Sequence, residues 1–529
     1  MKRGHAAHTQ DAATRGLPGT LPRPIKLTLL GAGSGFTPRL VNDLFRIPGE
    51  QGGTIALVDI DRDRLATMQR VIERLAAQLG KTHWKIVASP DRTAVLAGSD
   101  YIVNCIEVSG TACVRFDNDI PLKYGIDQCI GDTIGPGGLF KALRTIPVWL
   151  DVLRDCERLC PRALVLNYTN PMAMLCLAAG RTSGMSVVGL CHSVQGTGHL
   201  LAEYAGVPYD ELDWACAGIN HLAWFTRLEH RGRDLYPQLH RQFAADLAAA
   251  ERERRAGLTS ADATDVKPWI RAEVDALPYR QRDLVRKDMC LHFGAFITES
   301  SGHLSEYLPY YRKSEAGRNL LRLGYDGGSR FYATNWPKWR RAADRERAGM
   351  LAGRVPMDWE RSWEYASWIV EAREKDTPFR IHGNVMNSPV GPVSDRIIPA
   401  PFPHRSGRSS PTEPVADRSY PSKYQPSGAG QLITNLPADG CVEVACLVDR
   451  NGVSPTRHGA LPPQMAALCA SNMAMFDLGA QAAIERSVEK AIHALLLDPL
   501  TAALCTPAQI KAMTLELFRA EKNFLPGYK

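Results

Sequence analysis

No run of about 18 or more uncharged apolar residues occurs in this sequence, which argues against a membrane-spanning helix. The opening stretch MKRGHAAHTQDAATRGLPGTLPRP lacks an apolar h-region, so we expect no secretory signal there but a disordered leader over 1–24. Lys and Arg are scattered, and no basic stripe interleaved with aromatics accompanies the net charge of +7. Nucleic-acid binding therefore has little support. The 13 cysteines are odd in number and follow no regular framework spacing. Cys105, Cys113 and Cys176 sit in apolar surroundings, where a reduced thiol packs well. That usage fits a reducing compartment, and we expect a cytoplasmic protein. Internal repeats are also missing.

What is present is a chain of 529 residues, too long for one compact core, so at least two domains are the default. From Ile25 the text alternates between strand and helix. IKLTLLGAG, TIALVDID, KIVAS, DYIVNCIEV, ALVLNYTNP and SVVGLCH read as strands, and PRLVNDLFRI and RLATMQRVIERLAAQL as helices. This alternation predicts an α/β, doubly wound parallel sheet over 25–200. Residues 201–529 read as a C-terminal α+β domain packed on the sheet edge. It holds strands near WACAGINHLAWFTRLEH and CVEVACLVD, and one long helix over PPQMAALCASNMAMFDLGAQAAIERSVEKAIHALLL. Residues 388–430 are dense in Pro, Ser and Gly, which predicts a flexible insertion.

LLGAGSGFT places Gly31, Gly33 and Gly35 between a strand and a helix. Such a turn lets backbone approach a pyrophosphate at a helix start. Asp59 ends the next strand, where a carboxylate accepts ribose hydroxyls and disfavours a 2′-phosphate, favouring NAD over NADP. The third glycine comes one position early, with Phe36 in the usual slot.

Further candidates fall at strand ends: Asp132 in IGDTIGPGG, Asn170 in LNYTNPMAM, and Cys191 with His192 in LCHSVQGT, joined by His221 in GINHLAW. Each has a bland alternative as packing residue, turn or cap. Cys191 and His221 stand too far apart for a finger-like metal spacing.

Taken together, LCHSVQGT, INHLAW, GDTIGPGG, NYTNPM and TESSGHLSEYLPYY resemble glycoside hydrolase family 4, the NAD- and manganese-dependent glycosidases, with the Cys-His-Ser form most similar to its α-galactosidase branch. The similarity continues through HGNVMN, LITNLP, VEVACLVDRNGV, LPPQ and LLDPLTAA. It implies a Rossmann-type N-terminal sheet like that of lactate and malate dehydrogenases. It also implies a glycoside substrate and a homodimer or homotetramer.

The implied chemistry begins with oxidation of the sugar at C3 by NAD⁺. The resulting ketone acidifies the C2 proton, a base removes it, the aglycone leaves C1, water adds, and the ketone is reduced again. By the same resemblance, Cys191 and His221 are ligands of Mn²⁺ or another divalent metal. Softness alone would have suggested zinc or iron. Tyr307 corresponds to the proton-abstracting base, Asp132 to the carboxylate that makes it more basic, and Asn170 and Arg115 to substrate contacts. His192 stands where relatives keep an acid, and its ordinary pKa suits protonation of a leaving oxygen. The alternatives are an α-glucosidase or an α-glucuronidase or galacturonidase of the same family, or an NAD-dependent hydroxy-acid dehydrogenase on a related fold.

Overall fold

The structure, a computed structural model, describes residues 16–255, 282–322, 324–388 and 430–529. Most of the expected insertion at 388–430 therefore lies outside the described residues.

Six strands form a parallel set in the order β3-β2-β1-β4-β5-β6. They are β1 (Ile25–Leu30), β2 (Gly53–Val58), β3 (Trp84–Ser89), β4 (Tyr101–Asn104), β5 (Leu164–Asn167) and β6 (Ser186–Gly189). The central strands bury both faces: β4 and β5 are buried at every position, and β1 at all but Lys26. This is why they read as continuous apolar runs rather than alternating ones. Helices cover the sheet and start where their capping residues stand. Asp61 accepts from Arg64 N to open Arg62–Gln78, and Thr506 with Gln509 forms a capping box before Pro507–Ala520.

The sheet does not stop at residue 200, which lies inside helix Ser193–Ala205. It continues from β6 into antiparallel strands, β7 (Leu212–Ile219), β8 (Leu222–His230), β9 (Arg233–Asp234), β10 (Phe379–Met386) and β11 (Cys441–Asp449), in the order β6-β10-β11-β7-β8-β9. β12 (Gly452–Pro455) hangs on β11. Asn384 pairs with Gly189 and Glu443 with Gly218. The α+β half thus continues the sheet, joined to β6 through the pairing of Asn384 with Gly189, instead of only packing on its edge. One continuous apolar core runs from Leu21 to Leu525.

Two local expectations change. Residues 1–15 of the expected leader lie outside the described residues, but 16–24 are held in place: Leu21 is buried, Leu17 N donates to Glu371 Oε1 at 2.8 Å, and Arg23 bridges Asp100 and Glu374. The long C-terminal helix is two helices, Pro463–Glu485 and Val488–Leu497. Arg486 turns left-handed between them and Ser487 caps the second by accepting from Lys490 N. Among the described residues no helix is long and apolar enough to cross a membrane.

Candidate active site

The carboxyl ends of the parallel strands, together with the β7–β8 turn, gather the site, as expected for an open α/β sheet. At the end of β1, Gly31 has φ +76°, and an added Cβ would lie 2.4 Å from Cys105 O. Gly33 N donates to Asp59 Oδ2 at 2.7 Å, and Asp61 N to Asp59 Oδ1 at 2.9 Å. Asp59 therefore fastens the glycine turn, and each carboxylate oxygen keeps acceptor capacity. Nothing crowds Gly35. Helix Thr37–Phe45 starts beyond it without a side-chain cap.

Cys191 stands two residues past the end of β6. His221 occupies the two-residue turn between β7 and β8, and Glu299 precedes helix Ser301–Leu304. Cys191 Sγ lies 3.2 Å from His221 Nε2, and that nitrogen 3.7 Å from Glu299 Oε2. The three donor atoms all lie within 4.8 Å of one another. His221 and Glu299 both have left-handed backbone, with φ +63° and +74°. For non-glycine residues this strain is sustained only where the surroundings over-determine it.

Charge is strongly coupled here. Burial alone would raise the Cys191 thiol, but the adjacent His221 outweighs it and brings the thiol down to about 7. Burial would lower His221, yet Cys191 and Glu299 hold it up at about 10. Glu299 stays well below the usual carboxylate range, since His221 and His303 overcome its desolvation. A thiolate, an imidazole and a carboxylate converging in this way fit a divalent cation.

Tyr307 is fully buried, and its hydroxyl lies 3.3 Å from His221 Nδ1. Burial, reinforced by Asp132 and Glu299, pushes its phenol well above 10. Asp132 lies 3.4 Å from Lys141 Nζ, accepts from Asn170 Nδ2 at 3.4 Å, and stands 4.0 Å from His303 Nε2. Its carboxyl is lowered because Lys141 and His303 together outweigh burial. His192 Nε2 is hydrogen-bonded to Glu364, beside the rings of Phe36, Tyr168 and Trp363. Burial opposes its charged form, but Glu364 raises it to about 9.

The fold thus brings Cys191, His221, Tyr307, Asp132 and Asn170 into one connected cluster, with His192 next to Cys191. Arg115 is not brought there. It is exposed on helix Thr111–Lys123, its guanidinium 4.6 Å over the Phe116 ring, in a surface groove shared with Asp119, Lys123 and Arg519. The helix phase of this segment turns position 115 outward, while Val114 and Asp117 turn in. Sequence reasoning missed Glu299, His303, Lys141 and Glu364. For the first two a signal existed, because Glu299, His303 and Tyr307 recur every four residues.

Residues 26–207 match the model of the family 4 glycosyl hydrolases, and residues 216–394 and 427–501 match that of the family's C-terminal domain.

The chain belongs to glycosyl hydrolase family 4.

This glycosidase is 32% identical to an α-galactosidase of Bacillus subtilis (strain 168), over 95% of its own length and 100% of the relative's. It is 33% identical to an α-galactosidase of Rhizobium meliloti (strain 1021), over 95% and 89%. Its fold is shared with a 6-phospho-α-glucosidase from gut microorganisms solved in complex with NAD and Mn²⁺, at a TM-score of 0.68 and 19% identity, covering 96% of this glycosidase and 100% of that chain. A glycoside hydrolase replaces the dehydrogenase alternative.

Proposed function

We propose that this glycosidase hydrolyses α-galactosides, with NAD⁺ and a divalent manganese ion as resident groups. The observation that carries the reading is the convergence of Cys191, His221 and Glu299 against Tyr307. Hydrolysis by a pair of carboxylates has no use for such a donor set. Sequence likeness to two α-galactosidases along nearly the whole chain supports the sugar. The NAD and Mn²⁺ bound by the 6-phospho-α-glucosidase of the same fold support the resident groups.

In this reading the Gly31–Gly35 turn would receive the pyrophosphate of the dinucleotide, and Asp59, with acceptor capacity left on both oxygens, would hold its ribose. Cys191, His221 and Glu299 hold the cation. When bound, the nicotinamide would supply reversible oxidation of the sugar at C3, and the cation would supply Lewis acidity. With C3 oxidised, Tyr307 takes the proton from C2. It serves as a base only beside added positive charge, because burial and the neighbouring carboxylates otherwise keep it protonated. His221, with Nε2 turned to Cys191, presents Nδ1 to the Tyr307 oxygen, where an N–H steadies the phenolate. Asn170 binds sugar hydroxyls. His192, backed by Glu364, protonates the oxygen leaving C1. Water then adds, Tyr307 returns its proton to C2, and C3 is restored.

The test is a panel of nitrophenyl α-galactoside, α-glucoside and α-galacturonide with NAD⁺, Mn²⁺ and reductant. Preferred turnover of the galactoside without accumulating reduced nicotinamide is expected. Undiminished cleavage after removal of both nicotinamide and metal would overturn the reading.

A further inference from the structure

Glu306 is buried and adjacent in sequence to Tyr307, and its Oε2 lies 3.6 Å from His303 Nε2, the nitrogen that stands 4.0 Å from Asp132 Oδ1. Its Oε1 accepts from Cys129 N at 2.5 Å and Ile130 N at 2.7 Å, and its Oε2 from Gly131 N at 3.2 Å. Three successive backbone amides so arranged form a concave anion seat, and here a side chain of the same protein fills it. Gly131, at φ +63°, gives the loop the left-handed turn on which Asp132 follows. A second clasp lies alongside. Arg312 Nη1 donates to Asp127 Oδ2 at 2.7 Å, and its Nε to Ser305 Oγ at 2.7 Å. The segment carrying Tyr307 and the loop carrying Asp132 are thereby tied together by Glu306 and by Arg312.

We propose that Glu306 is a positioning residue for proton abstraction, its carboxylate seating the 129–131 amides so that Asp132 is held against Tyr307. The inference rests on the reading of Tyr307 as the base. Glu306 itself touches neither substrate nor cofactor. A carboxylate suits the task because both oxygens only accept, whereas an amide would turn an N–H toward one of the three donors. Displacing a catalytic pair by a fraction of an ångström slows the step that uses it without altering steps that do not.

The experiment is Glu306→Gln in the full chain with NAD⁺ and Mn²⁺, using nitrophenyl α-galactoside deuterated at C2 or at C3. We expect kcat to fall by up to about 100-fold with KM little changed. The C2 deuterium effect rises and the C3 effect falls toward unity, as deprotonation becomes the slow step. In the same protein without ligands, the amides of 129–131 exchange faster with solvent. A residue that merely stabilises the fold would reduce the active fraction and leave both isotope effects at their wild-type values, and that result overturns the proposal. Should Glu306→Gln fail to fold, Glu306→Asp, which keeps the charge but retracts it, is measured in the same way and must show the same change in the two effects. If the wild type itself exchanges no C2 label with solvent, the reading of Tyr307 fails. Normal wild-type exchange with unchanged isotope effects in the variant removes the role of Glu306 alone.

Discussion

His221 and Tyr307 meet at 3.3 Å, hydroxyl to Nδ1, while the other nitrogen of the same imidazole lies 3.2 Å from Cys191 Sγ. One ring therefore connects the thiol of the donor cluster to the phenol proposed as the base. Both contacts depend on the left-handed backbone of His221 in a two-residue turn, so the link is set by the hairpin rather than by side-chain freedom.

Replacing Cys191 with Ser removes the soft donor while leaving a group of similar size. We expect metal-dependent turnover to vanish and NAD⁺ binding to persist nearly unchanged. Titration calorimetry with NAD⁺, set beside activity across Mn²⁺ concentrations, checks both. Equal loss of the two would contradict the ligand assignment.

Tyr307→Phe keeps the buried ring and removes the oxygen. Loss of a positioned general base costs typically 10²–10⁴-fold, so kcat should fall by roughly that factor. Exchange of the C2 proton with solvent should be lost with it. Rapid exchange in this variant would place the base elsewhere.

Gly31→Ala meets two obstacles. Its φ of +76° is costly for any residue with a Cβ, and that Cβ would stand 2.4 Å from Cys105 O. The left-handed conformation alone costs roughly 1–2 kcal/mol. A lower melting temperature and weakened NAD⁺ affinity are expected together. A normal melting temperature would show that the turn relaxes without strain.

Asp498 gives a pH dependence at a helix cap outside the Cys191–His221–Glu299 donor set. It is fully buried and caps helix Pro499–Leu504 by accepting from Thr501 N at 2.8 Å. Burial raises its carboxyl to about 6, against the opposing pull of the Thr501 hydrogen bonds. A carboxyl with a folded value above its unfolded one favours the native state below the unfolded value, and loses that contribution as pH rises through the folded one. Asp498→Asn retains the cap without ionising. It should match the wild type near about pH 4 and be more stable above about pH 7, by about 3 kcal/mol at most. Urea unfolding at both values measures this, and a parallel offset at the two would remove the ionisation argument.

The parallel half of the sheet was legible because buried parallel strands are written as apolar runs, each followed by a turn and an amphipathic helix. That signal is local, and so was the glycine turn with Asp59. That the sheet continues past residue 200 was not legible, because local patterning does not reveal how β6 finds a partner: β10 begins almost two hundred residues later. The leader was judged by composition, yet Leu21 and Arg23 gain their order from distant groups.

By itself the sequence determined which chemical groups the protein owns and, through its motifs, the family to which it belongs. Folding alone decided that Glu299 joins Cys191 and His221, that Glu364 holds His192, that Lys141 faces Asp132, and that Arg115 points away. Donor sets of this kind are assembled from strand ends and turns remote in the chain. Their convergence depends on sheet order and backbone handedness, which residue spacing does not encode.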